Sequence, residues 1–269
     1  MSFVSKLSAG LFAASCVCSL AAAEILNINA PADFMTPKQV AVSEDGIIVK
    51  GPSFNLFSAK MLKLDPAKKY KISGDFRLKE GEKVDYVYLG FVPFDAQGKK
   101  ISSGSVNVTP NSDTILVKAA VAGDTVVYVK DASTWDNKTP HGYFVFNANP
   151  DYSDLPNFNL LQIPQGGIEQ DGDVWKITLK KPLKKDIAEG VGVRQQKAGS
   201  AYIYASYKRD LPHEWTTLSG IISGSVAKSG NPSKKLWPAT ASVRLMVMML
   251  NGDNNCVVEM KNIKIEEIE

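Results

Sequence analysis

Between Tyr70 and Leu78 the chain alternates with a period of two. Tyr70, Ile72, Gly74, Phe76 and Leu78 fall on one side, and Lys71, Ser73, Asp75 and Arg77 on the other. Successive side chains of a strand point to opposite faces, so this is the pattern of a half-buried strand. The alternation returns at Trp175, Ile177 and Leu179 against Lys176, Thr178 and Lys180, and at Tyr202, Tyr204 and Ser206 against Ile203, Ala205 and Tyr207. Val84 to Phe94 is apolar on both sides, as a central strand is, and Trp215 to Ser223 reads as a further strand. Turn residues separate these runs at Asp95-Ala96-Gln97-Gly98, Gly123-Asp124 and Asn251-Gly252-Asp253. A long amphipathic helix has no matching stripe here; Ala30 to Val42 and Leu183 to Glu189 have room for a turn or two. The last strand changes phase. Val258 and Met260 share a face, then Ile263 and Ile265 take it over, which predicts a bulge near Lys261-Asn262.

These short strands and turns predict an all-β, antiparallel sandwich with little or no helix outside a leader. Residues 24–269 are expected to form one domain, because the opening and closing strands would pair across the middle. The least regular region is 131–159, rich in Pro, Asn and Asp, with Gly142 to Asn147 a strand inside it.

The N-terminus reads as a secretory signal peptide over residues 1–23. Lys6 precedes an apolar run from Leu7 to Leu20, and Ala21-Ala22-Ala23 offers small residues before Glu24. The run is too short for a stable membrane span. A lipoprotein reading would acylate Cys16 or Cys18, but Ala13 or Ser15 stands where such signals carry Leu. The expected product is secreted or periplasmic, without integral membrane association. Removal of the leader leaves Cys256 without a partner for an internal disulfide. A chain of this length can bury about 70–75% of its unfolded surface, so it needs no covalent staple. With 31 basic and 28 acidic residues, the net charge of +3 gives no reason to expect nucleic acid as a partner.

Leu64-x-Pro66-x-x-x-Tyr70-x-x-Ser73-x-x-x-Arg77 resembles the second-strand signature of the xylan- and glucan-binding jelly-roll modules. Thr240 to Leu245 and Glu259 to Ile265 are similar to the final hairpin of those modules. The resemblance covers a short stretch near each end. It implies a jelly-roll, galactose-binding-domain-like sandwich that binds carbohydrate. The chain is longer than such modules. Many relatives carry at the closing strand an Asp that helps hold a structural calcium; Lys261-Asn262 stands there instead, so that site does not carry over.

His141 and His213 lie far apart, which excludes a zinc site with several histidines. G-x-S-x-G, P-loop and H-E-x-x-H motifs are missing. Asp131 with Asp136, or Asp151 with Asp154, has the residue types of a glycosidase pair, but spacing in a loop does not fix distance in space, and both pairs fit solvated turns and caps better. Calcium prefers hard oxygens, and Asn147, Asn149, Asp151, Ser153 and Asp154 form one oxygen-rich run; Asn149, Asp151 and Asp154 are its candidate ligands. Asn107-x-Thr109 and Asn137-x-Thr139 match the glycosylation acceptor pattern.

Aromatic residues carry the binding expectation. The C–H face of a sugar stacks on Trp or Tyr, while its hydroxyls take planar polar partners. Trp135 lies in a polar loop with Asp136 and Asn137, Trp237 in a Gly/Pro/Ser-rich connection, and Tyr152 in the oxygen-rich run. Tyr202 and Tyr204 project from one strand face as a shallow platform. Arg194, beside Gln195 and Gln196, suits hydroxyl or carboxylate recognition. Trp135 and Trp237 fit equally well as caps on the ends of the core. The expected function is a non-catalytic carbohydrate-binding protein recognising a glycan through Trp135, Asp136, Asn137, Tyr152, Arg194, Tyr202, Tyr204 and Trp237. The alternatives are a structural or adhesive envelope protein, and a polysaccharide lyase or glycoside hydrolase.

Overall fold

A computed structural model describes residues 23–226 and 229–269. The expected leader lies outside the described residues, apart from Ala23. The first strands are β1 (Ala23–Ile28), β2 (Ala41–Val42), β3 (Ile47–Lys50), β4 (Phe54–Phe57), β5 (Leu62–Lys63), β6 (Lys69–Glu80) and β7 (Val84–Phe94). Shorter strands follow: β8 (Thr114–Ile115), β9 (Val126–Val129), β10 (Gly142–Phe146), β11 (Leu160–Gln162), β12 (Ile168–Asp171), β13 (Val174–Thr178) and β14 (Gly192–Lys197). The chain closes with β15 (Ile203–Arg209), β16 (Thr216–Ser223), β17 (Ser242–Gly252) and β18 (Val257–Ile268). Among the described residues, helical structure is confined to single 3-10 turns at Pro31–Asp33, Pro37–Gln39 and Ser103–Ser105. Two of these fall inside Ala30 to Val42, as the sequence predicts.

Two antiparallel sheets from the two ends of the chain form a sandwich. One runs β16-β6-β18-β3-β2, with β1 also paired to β18; the other runs β15-β7-β17-β4, with β5 also on β17. The opening and closing strands therefore pair directly, Ile28 opposite Ile263 and Ile72 opposite Ile265. The alternation explains the layer between the sheets. Ile72 and Phe76 of β6 meet Leu89 and Phe91 of β7, Leu245 and Val247 of β17, and Ile263 and Ile265 of β18 in one buried cluster. Burying each such side chain is worth about 1.5–3 kcal/mol. The predicted bulge is present. The register of β18 against β6 shifts between Lys261 and Lys264, with Asn262 at φ 52°. That one extra residue lets Met260 and Ile263 both reach the core.

Residues between β7 and β15 build two smaller antiparallel sheets, β11-β10-β14-β8 and β12-β13-β9. They enclose a second apolar cluster that includes Leu116, Trp135, Phe144, Ile177 and Val193. The segment predicted as an irregular loop contains β10, as its apolar run implied. The Ser103–Ser105 turn joins this part to the sandwich. The Asn157 N–H donates to the Ser105 carbonyl at 2.9 Å, and the Gly199 N–H to Ser103 Oγ at 3.0 Å. A Cβ on Gly104 would stand 2.9 Å from the Tyr143 ring, so a side chain there would push the two apart.

Candidate ligand-binding face

The sheet β15-β7-β17-β4 has a second, outward face, and its side chains are aromatic. With Leu89 and Phe91 of β7 turned to the core, Tyr86, Tyr88, Val92 and Phe94 turn outward. Met246 and Met248 of β17, Phe57 of β4, and Tyr202 and Tyr204 at β15 join them. The register shifts of β15 on either side of Ser206 bring Tyr207 to this face too. Its ring centroid lies 5.3 Å from that of Tyr88 and 5.1 Å from that of Tyr204. Tyr88 and Tyr204 are 5.1 Å apart, Tyr202 and Tyr204 6.2 Å, and Phe57 and Tyr202 5.9 Å. Most of these pairs are tilted or edge-on, the arrangement the ring quadrupole favours.

The face has a closed floor and an open rim. Tyr88, Tyr202 and Tyr204 are buried above Met246, while Tyr207 is 50% exposed and Phe57 and Tyr86 are half-buried. Gly90, mid-way along β7 opposite Tyr204 and Met246, is required by close strand approach: a Cβ there would lie 2.1 Å from the Ile203 carbonyl oxygen. Asn55 Nδ2 donates to the Tyr202 hydroxyl at 2.9 Å, which fixes that ring. Two exposed lysines lie over the rings. Lys100 Nζ is 4.8 Å from the Tyr202 centroid, and Lys208 Nζ is 5.2 Å from that of Tyr86 and 5.5 Å from that of Tyr207. Burial pushes the Tyr204 phenol up to about 12, with the neighbouring tyrosines adding to it, and burial likewise raises Tyr88. Both phenols are therefore neutral at physiological pH and can donate as well as accept hydrogen bonds.

Of the residues singled out from sequence, Tyr202 and Tyr204 meet here, on one face as expected. Trp237 has no exposed surface, fills the sandwich core and donates from Nε1 to the Pro232 carbonyl at 3.1 Å. Trp135 is buried in the second core and donates to the Ser112 carbonyl at 2.9 Å. Neither ring offers a face to a ligand, which corrects the expectation for both; the cores gain more from such large apolar surfaces than an exposed loop would. Asp136 and Asn137 hold the loop around Trp135. Asp136 Oδ1 accepts from the Lys138 and Thr139 N–H groups, chiefly the former, and this lowers its pKa; the Lys197 ammonium adds to the effect. Asn137 bonds both polar backbone groups of Ile168.

Tyr152, Arg194 and Asp154 converge elsewhere. Arg194 is wholly buried, donates to Asp154, lies 3.5 Å from Asp113 and has its guanidinium 5.0 Å from the Tyr152 ring centroid. Burial pushes the Asp113 carboxyl up, against the pull of Arg194. Asp154 also accepts from the Asn149 N–H and from Asn157 Nδ2. With its oxygens taken and a guanidinium beside it, Asp154 is a poor calcium ligand, and the run Asn149, Asp151, Asp154 is a folded loop in which Asp151 caps the Ser153 N–H. Asp131 likewise accepts from the Ser133 N–H, which lowers its pKa. Tyr86, Tyr88, Tyr207, Phe57, Asn55, Lys100 and Lys208 escaped the sequence reading. Their signal was the alternation of Tyr86 with Tyr88, hidden because β7 is apolar on both sides.

No protein-family model, curated protein or solved structure matches the chain.

Proposed function

We propose that the protein is a non-catalytic carbohydrate-binding protein that takes a glycan on the outward face of β15-β7-β17-β4. The observation that carries this reading is the set of rings at Phe57, Tyr86, Tyr88, Tyr202, Tyr204 and Tyr207 on one sheet face, rigidly packed below and open at Tyr207, Tyr86 and Phe57. A sugar would lay its C–H face on the rim rings and give hydroxyl bonds to Asn55 and the phenols. A preformed floor lowers the ordering cost of binding, and the shallow rim keeps affinity modest. The jelly-roll resemblance at Leu64 to Arg77, Thr240 to Leu245 and Glu259 to Ile265 supports the same reading, and the leader-like residues 1–23 are consistent with a secreted or periplasmic setting.

Calorimetric titration of the intact protein with a panel of oligosaccharides tests it. One glycan class should give saturable binding that weakens about tenfold or more in Tyr207→Ala, the equivalent of about 1.4 kcal/mol. Binding that survives Tyr207→Ala and Tyr86→Ala together would place the ligand elsewhere, and a folded protein that answers to no glycan would sink the proposal.

A further inference from the structure

Lys100 and Lys208 are exposed and lie over the rim rings, and among the described residues neither is within ion-pair distance of a carboxylate. The spans that make the aromatic face, residues 55–57, 86–94, 202–207 and 244–250, contain no Asp or Glu. Arg244, a third cation on this face, is turned aside to the Ser58 and Ala59 carbonyls. The other sheet is built differently. On its outward face Arg77 and Lys79 share Glu259, and Lys264 meets Glu266. On that sheet three cations thus have carboxylate partners, with Lys261 over the Trp215 ring an exception, whereas on the aromatic face neither exposed lysine has one.

We infer that the ligand of the aromatic face is an acidic oligosaccharide, whose anionic groups meet Lys100 and Lys208 while its sugar rings stack on Phe57, Tyr86 and Tyr207. This rests on the glycan-binding reading above and names the chemical class it takes. The lysines mark the two ends of the face. Lys100 lies over Tyr202 and Lys208 over Tyr207 and Tyr86, and Tyr204 stands between Tyr202 and Tyr207 at centroid distances of 6.2 and 5.1 Å. A ligand that engages both lysines therefore lies across the intervening rings, with acidic groups on more than one sugar. Held over an aromatic face, each ammonium is already partly drawn out of water. The shared chemistry is a sugar-borne anion, and both a uronate carboxylate and a sulfate ester provide it.

The test titrates the intact protein with an oligogalacturonate and with a sulfated galactan oligosaccharide, against neutral galactan oligosaccharides of equal length. At least one acidic probe should bind about tenfold or more tightly than the neutral one. Its affinity should fall steeply between about 0.05 and 0.5 M salt. The arm that binds tells carboxylate from sulfate. The double variant Lys100→Met, Lys208→Met keeps most of each stem over the rings and should abolish the preference. Lys180→Met, Lys181→Met removes the same charge from exposed positions and should leave it intact. Equal Tyr207-dependent binding of neutral and acidic probes would overturn the inference while leaving the glycan reading standing. Equal losses in the two lysine variants would also overturn it, since net charge alone would then attract the anion. An absence of binding to every probe would remove both this inference and the reading beneath it.

Discussion

Glu259 has no exposed side-chain surface, yet it lies between Arg77, whose Nε donates at 2.7 Å, and Lys79 at 3.2 Å. Burial alone would push its carboxyl up; side-chain hydrogen bonds, those of Arg77 and Lys79 among them, outweigh this and bring it below the usual glutamate range. A carboxylate depressed in the folded state stabilises above its unfolded value of about 4.3, and that contribution is lost as pH falls through the folded value. Glu259→Gln should cost about 1–3 kcal/mol at pH 7. Urea unfolding at a series of pH values should also show a shallower loss of stability below about pH 4.5 in the variant than in the parent. A parallel pH dependence in both would remove Glu259 as the cause. The tryptophans show what single residues conceal. Trp135 and Trp237 lie in segments rich in Asp, Asn, Gly and Pro, and local polarity suggested exposure. Each shares its cluster with residues far away in sequence, Ile177 and Val193 for Trp135, and Phe76 and Phe91 for Trp237. Trp237→Ala should therefore cost about 3–5 kcal/mol in denaturant unfolding and leave glycan affinity of the remaining folded protein unchanged.

At the scale of the element, period-two alternation exposed the strands, because each half-buried strand records its own two faces. β6, β13 and β16 fall where the alternation predicts them, and so does the slip at Asn262. What stayed hidden was the role of the strands that are apolar on both sides. In β7 the inward Leu89 and the outward Tyr88 are both buried, so composition could not separate the core face from the aromatic face. Strict alternation puts Tyr207 on the side opposite Tyr204, since it knows nothing of the register shifts of β15 that rotate it. The bulge in β18 carries its own test. Asn262, at φ 52°, adopts a backbone conformation more accessible to Asn than to most residues, and its Nδ2 donates to Asp75 at 2.7 Å. Deleting Asn262 would restore regular pairing and leave Val258, Met260, Ile263 and Ile265 in unbroken period-two alternation on the core face. The expected result is a protein that keeps its cooperative unfolding transition, whereas deleting Lys264 instead, which puts Ile265 next to Ile263 and so on the opposite face, should abolish it. Replacing Asn262 by Gly keeps the backbone conformation and should cost only about 1 kcal/mol, the lost hydrogen bond.

For the molecule as a whole, the decisive fact is that apolar burial falls into two main cores joined by a polar seam. The sandwich core draws on strands from both ends of the chain, and the second core on β9 to β14. The seam is the Ser103–Ser105 turn, where the Asn157 N–H donates to the Ser105 carbonyl and the Gly199 N–H to Ser103 Oγ. Hydrogen bonds of this kind contribute about 0.5–1.5 kcal/mol net each, so this seam adds little to cohesion. Opening of the second core should therefore leave the sandwich closed. Trp135→Ala removes a large ring from the second core alone, about 3–5 kcal/mol by the usual range for such truncations. In native-state hydrogen exchange, the amides of β10, β13 and β14 should lose protection by the full effect, while those of β6, β17 and β18 keep theirs. The aromatic face, supported from beneath by β7 and β17, should then still bind its ligand in the variant. Equal loss of protection across all six strands would instead mean that the seam couples the two cores into one cooperative unit.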